Sequence, residues 1–186
     1  MRNRPCGQRG CRYGWAPDVG VLYLLRHGNA GMAGPGLGDQ DRPLNPAGMR
    51  AGLGIGRFIA ELAMPLDLVL CSTAERTRQT WAQVASCLDH PPEAEFEPAL
   101  YLCAAAALHQ RIRSLPVGAD RVMVIGHNPG LHEIALFYCG SGQDVVLHQL
   151  HRDFPPAALA IFDFKMPWSD LSGQTGYLQQ FVTPKS

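Results

Sequence analysis

Short, mostly apolar runs recur along the chain from residue 19 onward, and polar or glycine-rich sequence ends each of them. Runs of this kind predict strands that are buried on both faces of a sheet. The segment 93–100 is a weaker example, with alternating character. The predicted strands cover residues 21–25, 67–71, 93–100, 121–125, 157–164 and 177–182.

Helical periodicity fills the sequence between the first strands. Asn45 and Pro46 predict the N-cap and first residue of a helix that Pro65 ends. Its expected inner face is Met49, Leu53, Gly56, Ile59 and Ala63. A second helix is expected to start after a cap at Ser72 or Thr73. Its expected inner face is Thr77, Trp81, Val84 and Leu88. The last two predicted helices cover residues 104–115 and the residues that follow Pro129.

Strands that alternate with helices predict βαβ units. We therefore expect a single three-layer α/β/α domain over residues 19–186. Its central sheet is expected to be mostly parallel, with an antiparallel edge formed by the C-terminal strands. In such folds ligands bind at the carboxyl ends of the strands, which is where the chemistry should be sought.

The first 18 residues differ in charge from the rest of the chain. They contain four arginines and one aspartate, a net charge of +3, whereas the remaining residues carry −3. We predict a basic, disordered tail over 1–18, since so short a stretch cannot bury a core. Part of a transit peptide, or a misread start upstream of the true one, would fit this composition as well.

Composition excludes several classes of protein. Lys plus Arg and Asp plus Glu number 16 each, whereas a general nucleic-acid binder would have a basic excess. No apolar run approaches the roughly 20 residues that span a bilayer. The six cysteines form no CxxC pair, and no secretory signal precedes them. We therefore expect a globular, cytoplasmic protein with free thiols and with no nucleic-acid or membrane partner.

Cationic and imidazole side chains follow three of the predicted strands. Arg26 and His27 come directly after the first strand, Arg76 comes shortly after the second, and His127 follows the strand at 121–125. A cation near a helix N-terminus is locally unfavourable, because that end of the helix is already positive. Clustering these groups at one sheet edge is reasonable when an anion binds among them.

Two histidines and two arginines suit phosphoryl transfer. Guanidinium groups match phosphate oxygens and neutralise charge in the transition state. A neutral imidazole nitrogen can attack phosphorus and form a covalent intermediate that water later hydrolyses. The other nitrogen of that histidine should then donate to a fixed acceptor, and we expect a backbone carbonyl in the glycine-rich loop after His27.

These residues stand in sequence contexts that resemble the histidine phosphatase (phosphoglycerate mutase-like) superfamily, and more narrowly the SixA-type phosphohistidine phosphatases. The resemblance begins near residue 20 and extends to the end of the chain. An Arg-His-Gly triplet alone is a weak signal, but the ordered set of stretches is specific. The stretches are Leu24–Gly28, Asp41–Gly48, Ser72–Thr80, Val124–Gly130 and Phe154–Ala158.

The resemblance implies a role for each matching residue. His27 would be the phosphorylated nucleophile, and Arg26, Arg76 and His127 would complete the phosphate pocket. Asn29 and Arg42 are further candidates for substrate contact. A solvated side chain is the alternative for Arg42, and shaping of the turn is the alternative for Asn29. The resemblance also implies that the reaction needs no metal and no cofactor.

Hydrolysis of a phosphomonoester needs a general acid that protonates the leaving alkoxide, and this acid is missing from its usual places in the sequence. In the acid-phosphatase branch of the resembled superfamily an aspartate follows the second histidine, whereas Asn128 stands there in this chain. The stretch after residue 100 also contains no carboxylate. The remaining candidates, each expected at the surface, are Asp39, Asp41, Glu95 and Glu97.

A phosphohistidine substrate removes this difficulty. Its leaving group is an imidazole, whose conjugate acid has a pKa of about 6.5, so that it departs with little help. No connection is long enough for a cap domain, and an open pocket admits a side chain presented by another protein. We therefore predict a phosphatase for phosphohistidine on a protein, with a phosphotransfer domain or phosphocarrier as partner.

Two other functions remain open on the sequence. A phosphatase of the same fold for a small phosphorylated metabolite, such as a nucleotide, sugar or acyl phosphate, has the same pocket residues. A phosphate-binding module without catalysis would keep the pocket but not need the nucleophile. Activity on defined substrates distinguishes the three.

Overall fold

The computed structural model describes residues 20–184, and the predicted basic tail of residues 1–18 lies outside them. Strands and helices alternate along most of this length. The strands are β1 (Gly20–Arg26), β2 (Leu68–Ser72), β3 (Ala94–Glu97), β4 (Arg121–Gly126), β5 (Cys139–Gly142), β6 (Leu159–Phe164) and β7 (Gly176–Val182). The helices are α1 (Pro46–Leu62), α2 (Glu75–Ala85), α3 (Ala105–Arg113), α4 (Gly130–Tyr138) and α5 (Asp144–Arg152).

The strands form one sheet in the order β3-β2-β4-β1-β6-β7-β5. Neighbours from β3 to β1 are parallel, β6 is antiparallel to both β1 and β7, and β5 is parallel to β7. The predicted α/β class and the antiparallel pairing of the C-terminal strands are confirmed. These strands are not outermost, however, because the short strand β5 lies beyond β7.

Two apolar cores cover the two faces of the sheet. Alternate residues of β1 supply both cores, with Tyr23 in one and Leu24 in the other. Helices α1 and α2 close the first core, and helices α3, α4 and α5 close the second. Because β1 is buried on both faces, its sequence is a continuous apolar run rather than an alternating one. In the described part of the chain no helix is long and apolar enough to cross a membrane.

Helix α1 begins as predicted, and the predicted inner face is correct at Gly56 and Ile59 but wrong at Met49, Leu53 and Ala63. Asn45 is the N-cap, and its side chain accepts a hydrogen bond from the Gly48 amide at 2.9 Å. Met49 is 40% exposed. The face that packs on the sheet and on α2 is Gly48, Gly52, Ile55, Gly56, Ile59 and Leu62. Three glycines lie on this face, where the backbone of α1 itself packs closely against the loop after β1 and against α2.

Gly48 is the tightest of these contacts. A Cβ atom on Gly48 would overlap the carbonyl oxygen of Asn29, and one on Gly28 would come within 2.8 Å of the Gly48 carbonyl oxygen. The first turn of α1 therefore lies directly against the loop that follows β1. This approach brings the Asn45 amide within 2.9 Å of the Asn29 carbonyl oxygen. The loop is fixed by backbone contacts.

The sequence analysis did not predict two elements, β5 and α5. Strand β5 consists of only four residues, two of them glycines, and it pairs with β7 across a register irregularity. Helix α5 has nine residues, of which only Leu150 is buried, so the sequence has too few apolar positions there to indicate a helix. Both elements lie at the far side of the sheet from β2 and β3 and complete the second core.

A matched pair of alanine substitutions on α1 tests the close contact. We expect Gly48→Ala to lower the free energy of unfolding by at least about 2 kcal/mol, because the new methyl group meets fixed backbone. Gly54 lies on the same helix with no atom within 4 Å of its Cβ position, so Gly54→Ala should raise stability by about 0.5–1 kcal/mol. Urea unfolding measures both changes, and equal effects would contradict the packing described.

Candidate active site

The residues predicted to carry the chemistry meet at one edge of the sheet. Strands β2, β4 and β1 are parallel neighbours, so their carboxyl ends lie together. Arg26 ends β1 and His27 follows it, whereas His127 follows β4. The centroids of the two imidazole rings are 5.1 Å apart. Arg76 joins them from the first turn of α2.

His27 is held in one orientation by the chain that follows it. Its Nδ1 lies 2.7 Å from the carbonyl oxygen of Gly28. Because a carbonyl oxygen only accepts, Nδ1 carries the proton and the lone pair is on Nε2. The predicted carbonyl acceptor in the glycine-rich loop is thus confirmed. Burial lowers the pKa of His27 to about 4, the charges of Arg76 and Arg26 act in the same direction, and the Gly28 bond opposes them.

His127 is buried beside His27. His127 is 3% exposed. Its ring forms a T-shaped contact with the ring of Tyr101, with 5.4 Å between the two centroids. Its Nε2 lies 2.8 Å from the Ser72 hydroxyl. Its Nδ1 is buried without a hydrogen-bond partner among residues 20–184. When Ser72 donates to Nε2, the ring proton is on Nδ1, which is then a donor suited to a phosphoryl oxygen. Burial lowers the pKa of His127 to about 3, and the nearby His27 and Arg76 add to this shift.

Ser72 is therefore a positioning residue rather than the predicted helix cap. Helix α2 begins after Ala74 with no side-chain cap. The Ser72 carbonyl accepts a hydrogen bond from the Thr77 hydroxyl at 2.8 Å, which fixes the backbone where β2 ends. The Ser72 hydroxyl accepts the Ala74 amide at 3.5 Å, and its proton is free to donate to His127.

Backbone carbonyls orient the two pocket arginines. Nη1 of Arg26 donates to the Phe154 carbonyl oxygen at 2.8 Å, and burial lowers the pKa of Arg26. Arg76 is 4% exposed, and its Nη1 donates to the Asp39 carbonyl oxygen at 2.7 Å. Its guanidinium carbon lies 5.8 Å from the centroid of the Tyr101 ring. Both planar groups are thus fixed before any anion binds, which is the arrangement that favours transition-state charge.

Asp39 lies closer to the site than its sequence position indicates. One oxygen of its carboxylate, Oδ2, accepts from Arg76 Nη2 at 3.0 Å and from the Tyr101 hydroxyl at 2.6 Å. The other oxygen, Oδ1, is 3.2 Å from Arg42 Nη1. The Tyr101 hydrogen bond, followed by those of the arginines, lowers the pKa of Asp39 to about 2. At neutral pH this group is an anion and holds no proton to donate.

Asn29 and Arg42 line the same cavity of about 430 Å³ as Arg26, His27 and Arg76. Asn29 is exposed at its mouth. Arg42 donates from Nε to the Gly31 carbonyl oxygen at 2.9 Å, so part of its guanidinium is used to hold the loop. Asp39 is the one carboxylate among the described residues that line this cavity. Three guanidiniums and one carboxylate leave an excess of two positive charges, which matches a phosphoryl dianion.

The other carboxylates proposed from the sequence lie elsewhere. Arg111 Nη2 pairs with Glu97 at 2.7 Å and with Glu95 at 3.5 Å. Asp41 accepts the Gly38 amide at 2.9 Å. None of the three lines the cavity. Within residues 20–184, no group of three or more His, Cys, Asp and Glu side chains is arranged to hold a metal ion.

Thr80 is a site residue that sequence reasoning missed. Its hydroxyl accepts the Gly28 amide at 3.0 Å and donates to the Arg76 carbonyl oxygen at 2.7 Å. It therefore ties the loop of His27 to the helix of Arg76. Thr80 is four residues after Arg76, one helical turn later, so a search for polar residues on the face of the pocket arginine would have found it.

Comparison with known proteins identifies the family of this chain. The family model for the histidine phosphatase superfamily (branch 1) matches residues 22–101. An uncharacterized protein from Mycobacterium tuberculosis is 32% identical over 164 residues, which cover 87% of this chain and 100% of the relative. The chain belongs to the histidine phosphatase superfamily.

Within that superfamily the chain resembles SixA proteins. A structure described as SixA from Nakamurella multipartitia has a TM-score of 0.77 and 28% identity, and covers 90% of this chain and 98% of that one. Phosphohistidine phosphatase SixA from Escherichia coli K12 is 29% identical over 110 residues, covering 58% of this chain and 67% of SixA. These likenesses support phosphatase activity.

Titration of the His27 imidazole tests the described tautomer. Because the pKa of His27 is lowered to about 4, we expect its ring to stay neutral from pH 8 to pH 5, with the proton on Nδ1, and to gain charge only below that range. Nitrogen-15 NMR of labelled imidazoles, with His27→Gln to assign the signals, measures the midpoint. A midpoint near 6.5, or a proton on Nε2, would contradict the geometry.

Proposed function

We propose that this protein is a phosphatase that hydrolyses phosphohistidine on another protein, through a phosphorylated intermediate on His27. The observation that carries the proposal is the contact of His27 Nδ1 with the Gly28 carbonyl oxygen, which leaves the lone pair on Nε2 of a ring that lines the cavity. Arg26 and Arg76 line the same cavity, and the centroid of the His127 ring lies 5.1 Å from that of His27. These groups can supply the donors that a phosphoryl group in transfer requires.

The reaction takes two displacements at phosphorus. In the first, Nε2 of His27 forms the new P–N bond while the P–N bond to the substrate imidazole breaks. The substrate ring leaves as neutral imidazole when its other nitrogen carries a proton. The Nδ1–H of His27 keeps its bond to Gly28, which stabilises the charge that develops on the ring. Water then attacks the phosphoryl group, releases inorganic phosphate and restores neutral His27.

The pocket favours a leaving group that departs without a proton donor. Asp39 is the pocket carboxylate, but its pKa is lowered to about 2, so it is ionised at neutral pH. Asn128 follows His127, and its amide donates to the Phe154 carbonyl oxygen at 3.0 Å. An alkoxide needs a general acid, whereas imidazole, with a conjugate acid of pKa about 6.5, does not. This difference favours a phosphoramidate over a sugar phosphate.

The SixA likeness extends the same argument to partner and compartment. The Escherichia coli relative is named a phosphohistidine phosphatase. By analogy we propose a phosphohistidine-bearing protein, such as a phosphotransfer domain or phosphocarrier, as substrate of this chain in the cytoplasm, and a reaction that needs no metal or cofactor. A small phosphorylated metabolite is the rival substrate for the same residues.

The test is a time course on a phosphotransfer domain phosphorylated on its histidine, in buffer with EDTA. We expect wild type to release phosphate and His27→Ala to be slower by at least about a thousandfold, because the nucleophile is gone. Arg57→Ala, an exposed change on α1 away from the cavity, is the matched control and should keep full activity.

Two results would overturn the proposal. Activity that survives in His27→Ala would remove the covalent route. A kcat/KM for a simple alkyl phosphate equal to that for phosphohistidine would remove the argument from the missing acid and favour a small-molecule phosphatase.

A further inference from the structure

A groove opens directly beside the catalytic cavity. It has a volume of about 870 Å³ and lies between one face of α1 and the residues that end β7 and precede β6. Asn29 and Pro156 line both the groove and the cavity, so the two spaces adjoin. A ligand that fills the groove therefore lies next to the cavity that His27 lines.

The apolar residues of the α1 wall are Ala47, Ala51, Gly54, Ile55 and Phe58, three of which are alanine or glycine. Each is three or four residues from at least one other, so they share one face of α1 over roughly 17 Å, or about three turns. Gly54 is exposed with no atom within 4 Å of its Cβ position. A second helix can therefore approach this face closely.

Positive charge flanks the apolar wall. Arg50 and Arg152 line the groove, are exposed, and make no ion pair or side-chain hydrogen bond with any residue from 20 to 184. By contrast, Arg76 and Arg111 are paired with carboxylates. The groove thus has charge to complement acidic groups on a ligand.

We infer that this groove docks a helix of the phosphohistidine-bearing protein, with the apolar side of that helix on α1 and its carboxylates on Arg50 and Arg152. The inference rests on the proposed function and adds the surface that recognises the protein part of the substrate. A helix in an apolar groove is a common mode of recognition. The acidic groups beside the phosphohistidine would set the partner's orientation and speed its association.

Other occupants fit the groove less well. Sugar or nucleotide hydroxyls would lose hydrogen bonds to water against a wall of alanine, glycine, isoleucine and phenylalanine. A second copy of this chain, packed by two-fold symmetry, would bring the same unpaired arginines of both copies into one interface. An acidic partner helix avoids both penalties.

The test compares two substrates on groove variants. The substrates are a phosphotransfer domain phosphorylated on its histidine and free phosphohistidine, which has no protein part. The variants are Gly54→Trp, which fills the groove from a position with open space around it, and the double change Arg50→Glu with Arg152→Glu. Ala60→Trp and Arg57→Glu are the matched controls, because they place the same bulk and the same charge at exposed positions of α1 outside the groove.

Both groove variants should lower kcat/KM for the phosphorylated domain by at least about tenfold, chiefly through KM. They should change kcat/KM for free phosphohistidine by less than about twofold, because the catalytic cavity is untouched. The controls should resemble wild type on both substrates. Circular dichroism and sedimentation of each variant accompany the kinetics.

The outcomes separate this inference from the proposed function. No activity of folded wild type on either substrate overturns the proposed function, and the inference with it. Equal rates for wild type and groove variants on the phosphorylated domain overturn the inference alone. So does an equal loss on both substrates, or a change in sedimentation that shows the groove to be an interface between copies of the chain.

Discussion

The site depends on one hydrogen bond, from Nδ1 of His27 to the Gly28 carbonyl oxygen at 2.7 Å. It selects the tautomer with a free Nε2 and fixes the plane of the ring. The bond requires the carbonyl to stay in place, and backbone contacts ensure this. Gly28 and Gly48 approach too closely for side chains, and Thr80 accepts the Gly28 amide. The sheet, α1 and α2 together fix the orientation of the His27 ring and hence the position of its Nε2.

Electrostatics around that nitrogen are arranged for an anion. The burial of His27 and the positive charges of Arg76 and Arg26 all oppose protonation of the ring, so the imidazole stays neutral. Asp39 offsets part of this charge and occupies donors of Arg76. Desolvation of the buried Arg76 and the partly buried Arg26 costs stability, and the carbonyl contacts of both arginines offset part of that cost. Under the proposed function, a bound phosphoryl group would balance the positive charge that the cavity residues leave.

The sequence predicted the parts of this arrangement that follow from regular patterns. Val21–Leu25 is a continuous apolar run because β1 is buried on both faces, and its end indicates the position of His27. The apolar run at 121–125 indicates the position of His127 in the same way. The buried face of α1 is predicted only in part, at Gly56 and Ile59, because several of its contacts use glycine backbone, which has no hydropathy signal. The Asp39–Arg76 pair spans 37 residues and joins a loop to a helix, so no periodicity marks it.

The position of phosphorus in the trapped intermediate tests the central claim most directly. Wild type mixed with a phosphohistidine substrate, quenched in alkali and digested, yields a phosphopeptide whose phosphorus-31 NMR shift distinguishes the two ring nitrogens. The account predicts phosphate on Nε2 of His27. Phosphate on Nδ1 of His27, phosphate on His127, or turnover with no phosphorylated histidine at any time would contradict it.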